Sequence, residues 1–116
     1  MDKFEFKAFF YALGDYSRFS ILSALAKHDL NVSEIVEITG IEQSNVSHHM
    51  QCLLNCGFVN VKKEGTKHVY RINKDVKQTV NSIVDHIESY KKQIISCNIA
   101  NRAYILKVTK WKNSST

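Results

Sequence analysis

The sequence predicts a mainly helical fold interrupted once by a small β-hairpin, and three observations carry that prediction. Apolar residues recur at helical spacing in segment after segment. Between Val59 and Ile72 the period shortens to alternation around KKEGTK, the pattern of two strands and a turn. One helix, within Ile41–Phe58, opens with uncharged polar residues, becomes apolar and stops at Gly57.

Composition narrows the classes. A chain of 116 residues is long enough for one domain with a modest core. Its 44% hydrophobic content is that of a globular protein, and sixteen Lys and Arg against eleven Asp and Glu leave +5. That balance favours an anionic partner, nucleic acid before a membrane surface. No run approaches the roughly 20 apolar residues of a spanning helix, so no membrane partner is expected. MDKFEFKAFFYALGD has early acidic residues and no small-residue cleavage site, and so reads as structure in a cytoplasmic protein. The three cysteines are an odd number, which in a reducing compartment favours thiolate chemistry over a disulfide framework. There is no internal repeat and no proline. The expected division is a single domain over 1–97 and a C-terminal tail over 98–116.

The elements follow in order. Phe4, Phe6, Phe9, Phe10 and Leu13 make a first helix that is apolar on more than one side and ends at Gly14, so a second subunit is its expected cover. Asp15 caps a helix over 17–27 with Phe19, Ile21, Leu22 and Leu25 inward. Arg18 on this helix reads equally as a phosphate contact or a brace for a carboxylate. A third helix, 32–39, carries Val32, Ile35, Val36 and Ile38 as its apolar set, and Gly40 closes it. The helix of Ile41–Phe58 follows, with Val46, Met50, Leu53 and Leu54 on one face and Gly57 at the left-handed position past its end. A short helix, a turn containing glycine and a longer helix with a polar front make a helix-turn-helix. The hairpin after it, turning at Glu64-Gly65, is a wing. A last long helix starts at Asn73 or Asp75, with Val76, Val80, Ile83, Val84, Ile87, Tyr90 and Ile94 on one stripe. Nothing else in the chain can cover that stripe, which points to a homodimer.

Gln43, Ser44, Asn45, Ser47 and His48 donate and accept hydrogen bonds without fixed charge, which suits base edges. Asn and Gln can pair bidentately with adenine. His49 reads as a packed or a phosphate-contacting residue. Lys62, Lys63 and Lys67 stand at the hairpin tip, placed for phosphate. Cys52 and Cys56, four apart, share one side of the same helix. On residue type alone they are ordinarily small buried hydrophobes.

The stretches Ala12–Leu22, Val32–Gly40, Ser44–Val59 and Lys63–Ile72 together resemble the ArsR/SmtB family of metal-responsive repressors, most specifically through S-x-V-S-x-H and the Glu-Gly wing. The resemblance implies a homodimeric winged helix joined through its first and last helices, bound to operator DNA without metal and released by it. Two metal sites of the family are absent: Asn31 and Ser33 stand where one branch has a C-x-C pair, and Asp85 and His86 are not followed by the further His that another branch needs. Cys52, Cys56 and Cys97 are similar instead to the CmtR-type cadmium- and lead-sensing branch. That branch implies a helix pair from one subunit and the third thiolate from the other.

The chemistry agrees with that assignment. Sulfurs one helical turn apart can reach one ion, and a set of soft thiolates favours Cd(II) or Pb(II), with Zn(II) able to bind as well. The expected function is therefore a repressor released from double-stranded operator DNA when Cd(II) or Pb(II) binds Cys52, Cys56 and Cys97. The alternative is a winged-helix repressor that senses thiol oxidation or persulfide without a metal. An enzyme is not expected, since there is no Gly-rich phosphate loop, no paired carboxylates and no Ser/His/Asp set.

Overall fold

The computed structural model describes residues 1–102. Helix α1, Lys3–Leu13, starts at Asp2, whose carboxylate accepts from the Phe4 N–H at 2.7 Å while Glu5 accepts from the Asp2 N–H at 3.3 Å. This reciprocal pair satisfies donors that a helix start leaves without partners. Only Ala12 and Leu13 of α1 are buried. Helix α2, Tyr16–Leu25, is capped by Asp15 as expected, the carboxylate accepting from the Arg18 N–H at 3.0 Å. Ile21, Leu22 and Leu25 are buried, and Phe19 is half-buried.

A short strand that the sequence does not announce follows. β1, Leu30–Asn31, pairs antiparallel with Tyr70 and Val69. Two residues are too few to show a period, and Asn31 is at the same time the cap of α3, Val32–Thr39. Its side chain accepts from the Glu34 N–H, and Glu34 accepts from the Asn31 N–H, both at 2.9 Å. Gly40 closes α3 at φ 73°. Ile38, expected inward, is 59% exposed. It lies off the i, i+3, i+4 stripe that Val32, Ile35 and Val36 define.

Helix α4, Gln43–Asn55, is shorter at both ends than the stretch that announces it. Val46, Met50 and Leu53 are its buried face. Its end is a Schellman motif: the Phe58 N–H donates to the Leu53 carbonyl at 3.0 Å, the Gly57 N–H donates to Leu54 at 3.2 Å, and Gly57 sits at φ 78°. Phe58, 2% exposed, then packs against Phe9 of α1 at 5.3 Å between ring centroids. Burying such a side chain contributes roughly 1.5–3 kcal/mol, so the turn that ends α4 also anchors it.

β2, Val59–Glu64, and β3, Lys67–Ile72, form the hairpin, and the sheet order is β1-β3-β2. The turn is Gly65-Thr66, one residue later than expected, because Glu64 is still paired with Lys67. Asn73, expected to start the last helix, uses its side chain otherwise: it donates to the Gly57 carbonyl and accepts from Asn60 at 2.7 Å.

The last long helix is two. α5 spans Lys74–Ser89 and α6 spans Lys91–Ile95, with Tyr90 between them at φ −112°. Ser89 and Tyr90 are weak helix formers, and most helical stability comes from packing, of which Ile87, Tyr90 and Ile94 have little at 44%, 49% and 41% exposure. The chain divides into two units, the first Met1–Asn81 and the second beginning at Ser82, with the division falling inside α5. The junction expected at residue 97 lies within the second unit. Of the expected tail, residues 98–102 are helical and the remainder is outside the described residues. No helix among the described residues is long and apolar enough to cross a membrane.

Candidate DNA interface and thiol pair

The polar front of α4 is open. Gln43, Ser44, Asn45, Ser47 and His48 are all exposed, because Val46 and Met50 take the inward positions of the first turns. Glu42 precedes them at the N-cap without a side-chain cap bond, and its carboxylate accepts from the Ser44 hydroxyl at 3.2 Å. Lys62, Lys63 and Lys67 are exposed on the wing, opposite Val69, His68 and Glu64 in the ladder. The one described ion pair, Arg71 to Asp29 at 3.1 Å, leaves these lysines uninvolved. Uncharged hydrogen-bonding groups on a helix followed directly by cations on a hairpin form a surface for base edges and phosphates.

At its other end α4 carries two thiols. Cys52 is half-buried and Cys56 is exposed at the C-cap, one residue beyond the last helical turn. One helical turn separates the two thiols. Burial pushes the Cys56 thiol above its ordinary 9.0, and the neighbouring Cys52 pushes it further, while the positive charge of Arg18 pulls the other way. Cys97 lies in the second unit, exposed, with Sγ accepting from the Ala100 N–H at 3.5 Å. Among the described residues of a single chain no three His, Cys, Asp or Glu side chains converge on a common point. The chain thus gathers a thiol pair, and the donor chemistry of that pair fits a soft divalent cation.

Arg18 takes neither role open to it from the sequence. It is 6% exposed and donates through Nε to the Ala12 carbonyl at 2.7 Å and through Nη2 to Tyr11 at 3.0 Å. Those carbonyls belong to the last turn of α1, where a helix leaves acceptors without partners. Nη1 lies 3.3 Å from Nδ1 of His49 on α4. Guanidinium can only donate, so in this contact His49 Nδ1 is the acceptor. A sequence signal for this does exist: Arg18 falls on the i, i+3, i+4, i+7 stripe of Ile21, Leu22 and Leu25.

A helix-turn-helix whose reading helix is open, followed by a basic wing, defines a DNA-binding transcription regulator of the winged-helix class. Residues 15–61 match the family model described as bacterial regulatory protein, arsR family. An arsenical resistance operon repressor of Staphylococcus xylosus is 32% identical over 77 residues, covering 66% of this chain and 74% of that protein. A Streptomyces lividans protein named "Probable mercury resistance operon repressor" is 38% identical over 64 residues, which are 55% of this chain but only about half, 51%, of that one. Among solved structures, the homodimeric winged helix-turn-helix DNA-binding domain of a Mycobacterium bovis protein superposes with a TM-score of 0.66 at 29% identity, covering 74% of this chain and 80% of that one. The chain belongs to the arsR family of bacterial regulatory proteins.

Proposed function

We propose that this protein is a metal-responsive repressor that binds operator DNA as a homodimer and releases it when Cd(II) or Pb(II) binds Cys52, Cys56 and Cys97. The observation that carries this reading is the pair of free thiols, Cys52 and Cys56, one turn apart at the end of the helix that presents the DNA-facing residues. The metal-resistance repressors among its relatives support a metal inducer, and the choice of a soft thiophilic cation rests on the donor set. The bound ion would add a fixed charge and tie the end of α4 to whatever supplies the third thiolate. Cys97, an exposed thiol, is that third ligand.

Dimerisation is supported by the open aromatic face of α1, where Phe4, Phe6 and Phe10 are 77%, 51% and 52% exposed, and by the homodimeric neighbour. In the dimer the two α4 helices read half-sites about one helical turn of DNA apart. Gln43, Ser44, Asn45, Ser47 and His48 contact bases, and Lys62, Lys63 and Lys67 hold phosphates. The protein works in the cytoplasm, where its DNA is.

The test is duplex binding followed by anisotropy under reducing, anaerobic conditions, with and without Cd(II). Metal-dependent release reversed by a chelator supports the reading, and release that survives Cys52→Ser refutes it. A second reading, thiol oxidation as the signal, is favoured by the same pair of free thiols and by the position of Cys56 outside the helix proper. Release by diamide without metal, reversed by dithiothreitol, would select it.

A further inference from the structure

Each of the first three helices is closed at its start by a short polar side chain. Asp2, Asp15 and Asn31 accept from backbone N–H groups of α1, α2 and α3 at 2.7, 3.0 and 2.9 Å. Glu42 holds the same position ahead of α4 and makes no such bond. Its carboxylate is exposed and accepts instead from the Ser44 hydroxyl at 3.2 Å. The one ion pair among the described residues is Arg71 with Asp29, so none of their cations neutralises Glu42.

That charge is out of keeping with its surroundings. Between Glu37 and Lys62 it is the only Asp, Glu, Lys or Arg, in a chain whose balance is +5. Every phosphate of a duplex repels a carboxylate carried at the leading end of the reading helix. In helix-turn-helix proteins the N-terminal residues of that helix meet base edges. An anion there is unfavourable on DNA in general and favourable only where a base offers a donor. In the major groove the donors are cytosine N4 and adenine N6. Adenine sets its N7 acceptor beside the donor, which suits an amide and opposes a carboxylate, whereas cytosine presents the donor alone. Guanine and thymine present acceptors only. A carboxylate can only accept, and the Ser44 hydroxyl, its proton given to Glu42, likewise has only lone pairs left to offer.

We propose that Glu42 is a specificity-determining residue: it reads a cytosine N4 amino group at one position of each operator half-site and penalises duplexes that lack it. This rests on the DNA-reading role of α4 proposed above, and names one base that the operator must present. The carboxylate sets specificity from both directions. It adds a bond at the right base and repels phosphates and base acceptors elsewhere, a discrimination that neutral readers such as Gln43 and Asn45 do not supply. The exposed lysines of the wing provide the general attraction that such a helix lacks.

The experiment selects duplexes from a pool of randomised sequence with the reduced, metal-free protein, then measures affinities by anisotropy. The wild type should enrich a near-palindromic site with cytosine at one fixed position of each half. Replacing that base pair should weaken wild-type binding about 5- to 150-fold, the usual range for one good base contact. Glu42→Ala should lose that preference, keep those at other positions, and bind a duplex without the site more tightly than the wild type does. Glu42→Gln should move the preference from cytosine to adenine, which the amide can pair. A role confined to starting α4 would weaken all positions together and give no shift toward adenine. If the wild type enriches no sequence, the DNA-reading role itself falls and this inference with it. If it enriches a site and Glu42→Ala keeps every base preference, or loses all of them together, the assignment to Glu42 alone is overturned. A preference lost at a base other than cytosine overturns it equally.

Discussion

The two ends of α4 are built oppositely. At the front, Gln43, Ser44, Asn45, Ser47 and His48 are exposed, and their side-chain contacts are a hydroxyl bond from Ser44 to Glu42 at 3.2 Å and the His48 ring 5.9 Å from that of His49. At the back, Leu53, Leu54 and Asn55 lead into a Schellman turn locked by Phe58 and Asn73, with Cys52 and Cys56 one turn apart. The front is free to meet a ligand of any sequence that fits, whereas the back is fixed before any ligand arrives. A rod with an open reading end and a packed end carrying thiols can transmit a change at one to the other, because the shared inner face of Val46, Met50 and Leu53 prevents independent movement.

Breaking that inner face should have the largest effect. Leu53, fully buried, leaves a cavity when cut to alanine, and Leu53→Ala should cost about 2–5 kcal/mol of stability. Chemical denaturation would read this as a lower midpoint at unchanged slope, with DNA and metal binding lost together. Separating the ends is the next step down. Asn45→Ala should weaken specific duplex binding by about 1–3 kcal/mol while the cadmium band keeps its amplitude, as anisotropy and absorption on one sample would show. An equal loss in both would mean the ends are not separable.

The thiol end has its own signature in pH. Because burial and Cys52 favour the neutral form of Cys56, its alkylation by iodoacetamide should accelerate with a midpoint above the ordinary 9.0. In Cys52→Ser that midpoint should fall, since the neighbouring thiol is one of the causes, and in Arg18→Gln it should rise. Metal binding, which needs thiolates, should therefore weaken as pH drops. The smallest effect belongs to the wing: each of Lys62→Gln, Lys63→Gln and Lys67→Gln should reduce the salt dependence of DNA binding by about one unit of slope, similarly for all sequences.

Much of this was legible in the residues. Helical spacing announced α1 to α4, and the glycines after α3 and α4 stand at φ 73° and 78° as their positions demanded. The hairpin followed from alternation, with its turn displaced by one residue because the Glu64–Lys67 pairing depends on register. β1 was not legible, since two residues carry no period and its pairing partner is distant in sequence. The break at Tyr90 was hidden by a stripe that continues across it, because periodicity records which side a residue takes and not whether anything packs there. Arg18 is the more instructive miss. Its place among Ile21, Leu22 and Leu25 marked it as inward, but its charge argued for a surface role, and the backbone carbonyls that accept from it have no signature in side-chain identity. The polar face of α4 and the thiol pair were visible because each depends on neighbours within one helix. Cys97 is forty-one residues beyond Cys56, and no local pattern in the sequence ties it to that pair.

The central claim is that Cys52, Cys56 and Cys97 form one soft-metal site, and an anaerobic Cd(II) titration of the reduced protein tests it most directly. Followed by sulfur-to-metal charge-transfer absorption, the wild type should saturate at one ion per chain, and Cys52→Ser, Cys56→Ser and Cys97→Ser should each weaken the band. Absence of a band, or a band indifferent to Cys97→Ser, would contradict the three-thiolate site and leave a winged-helix regulator answering to another signal.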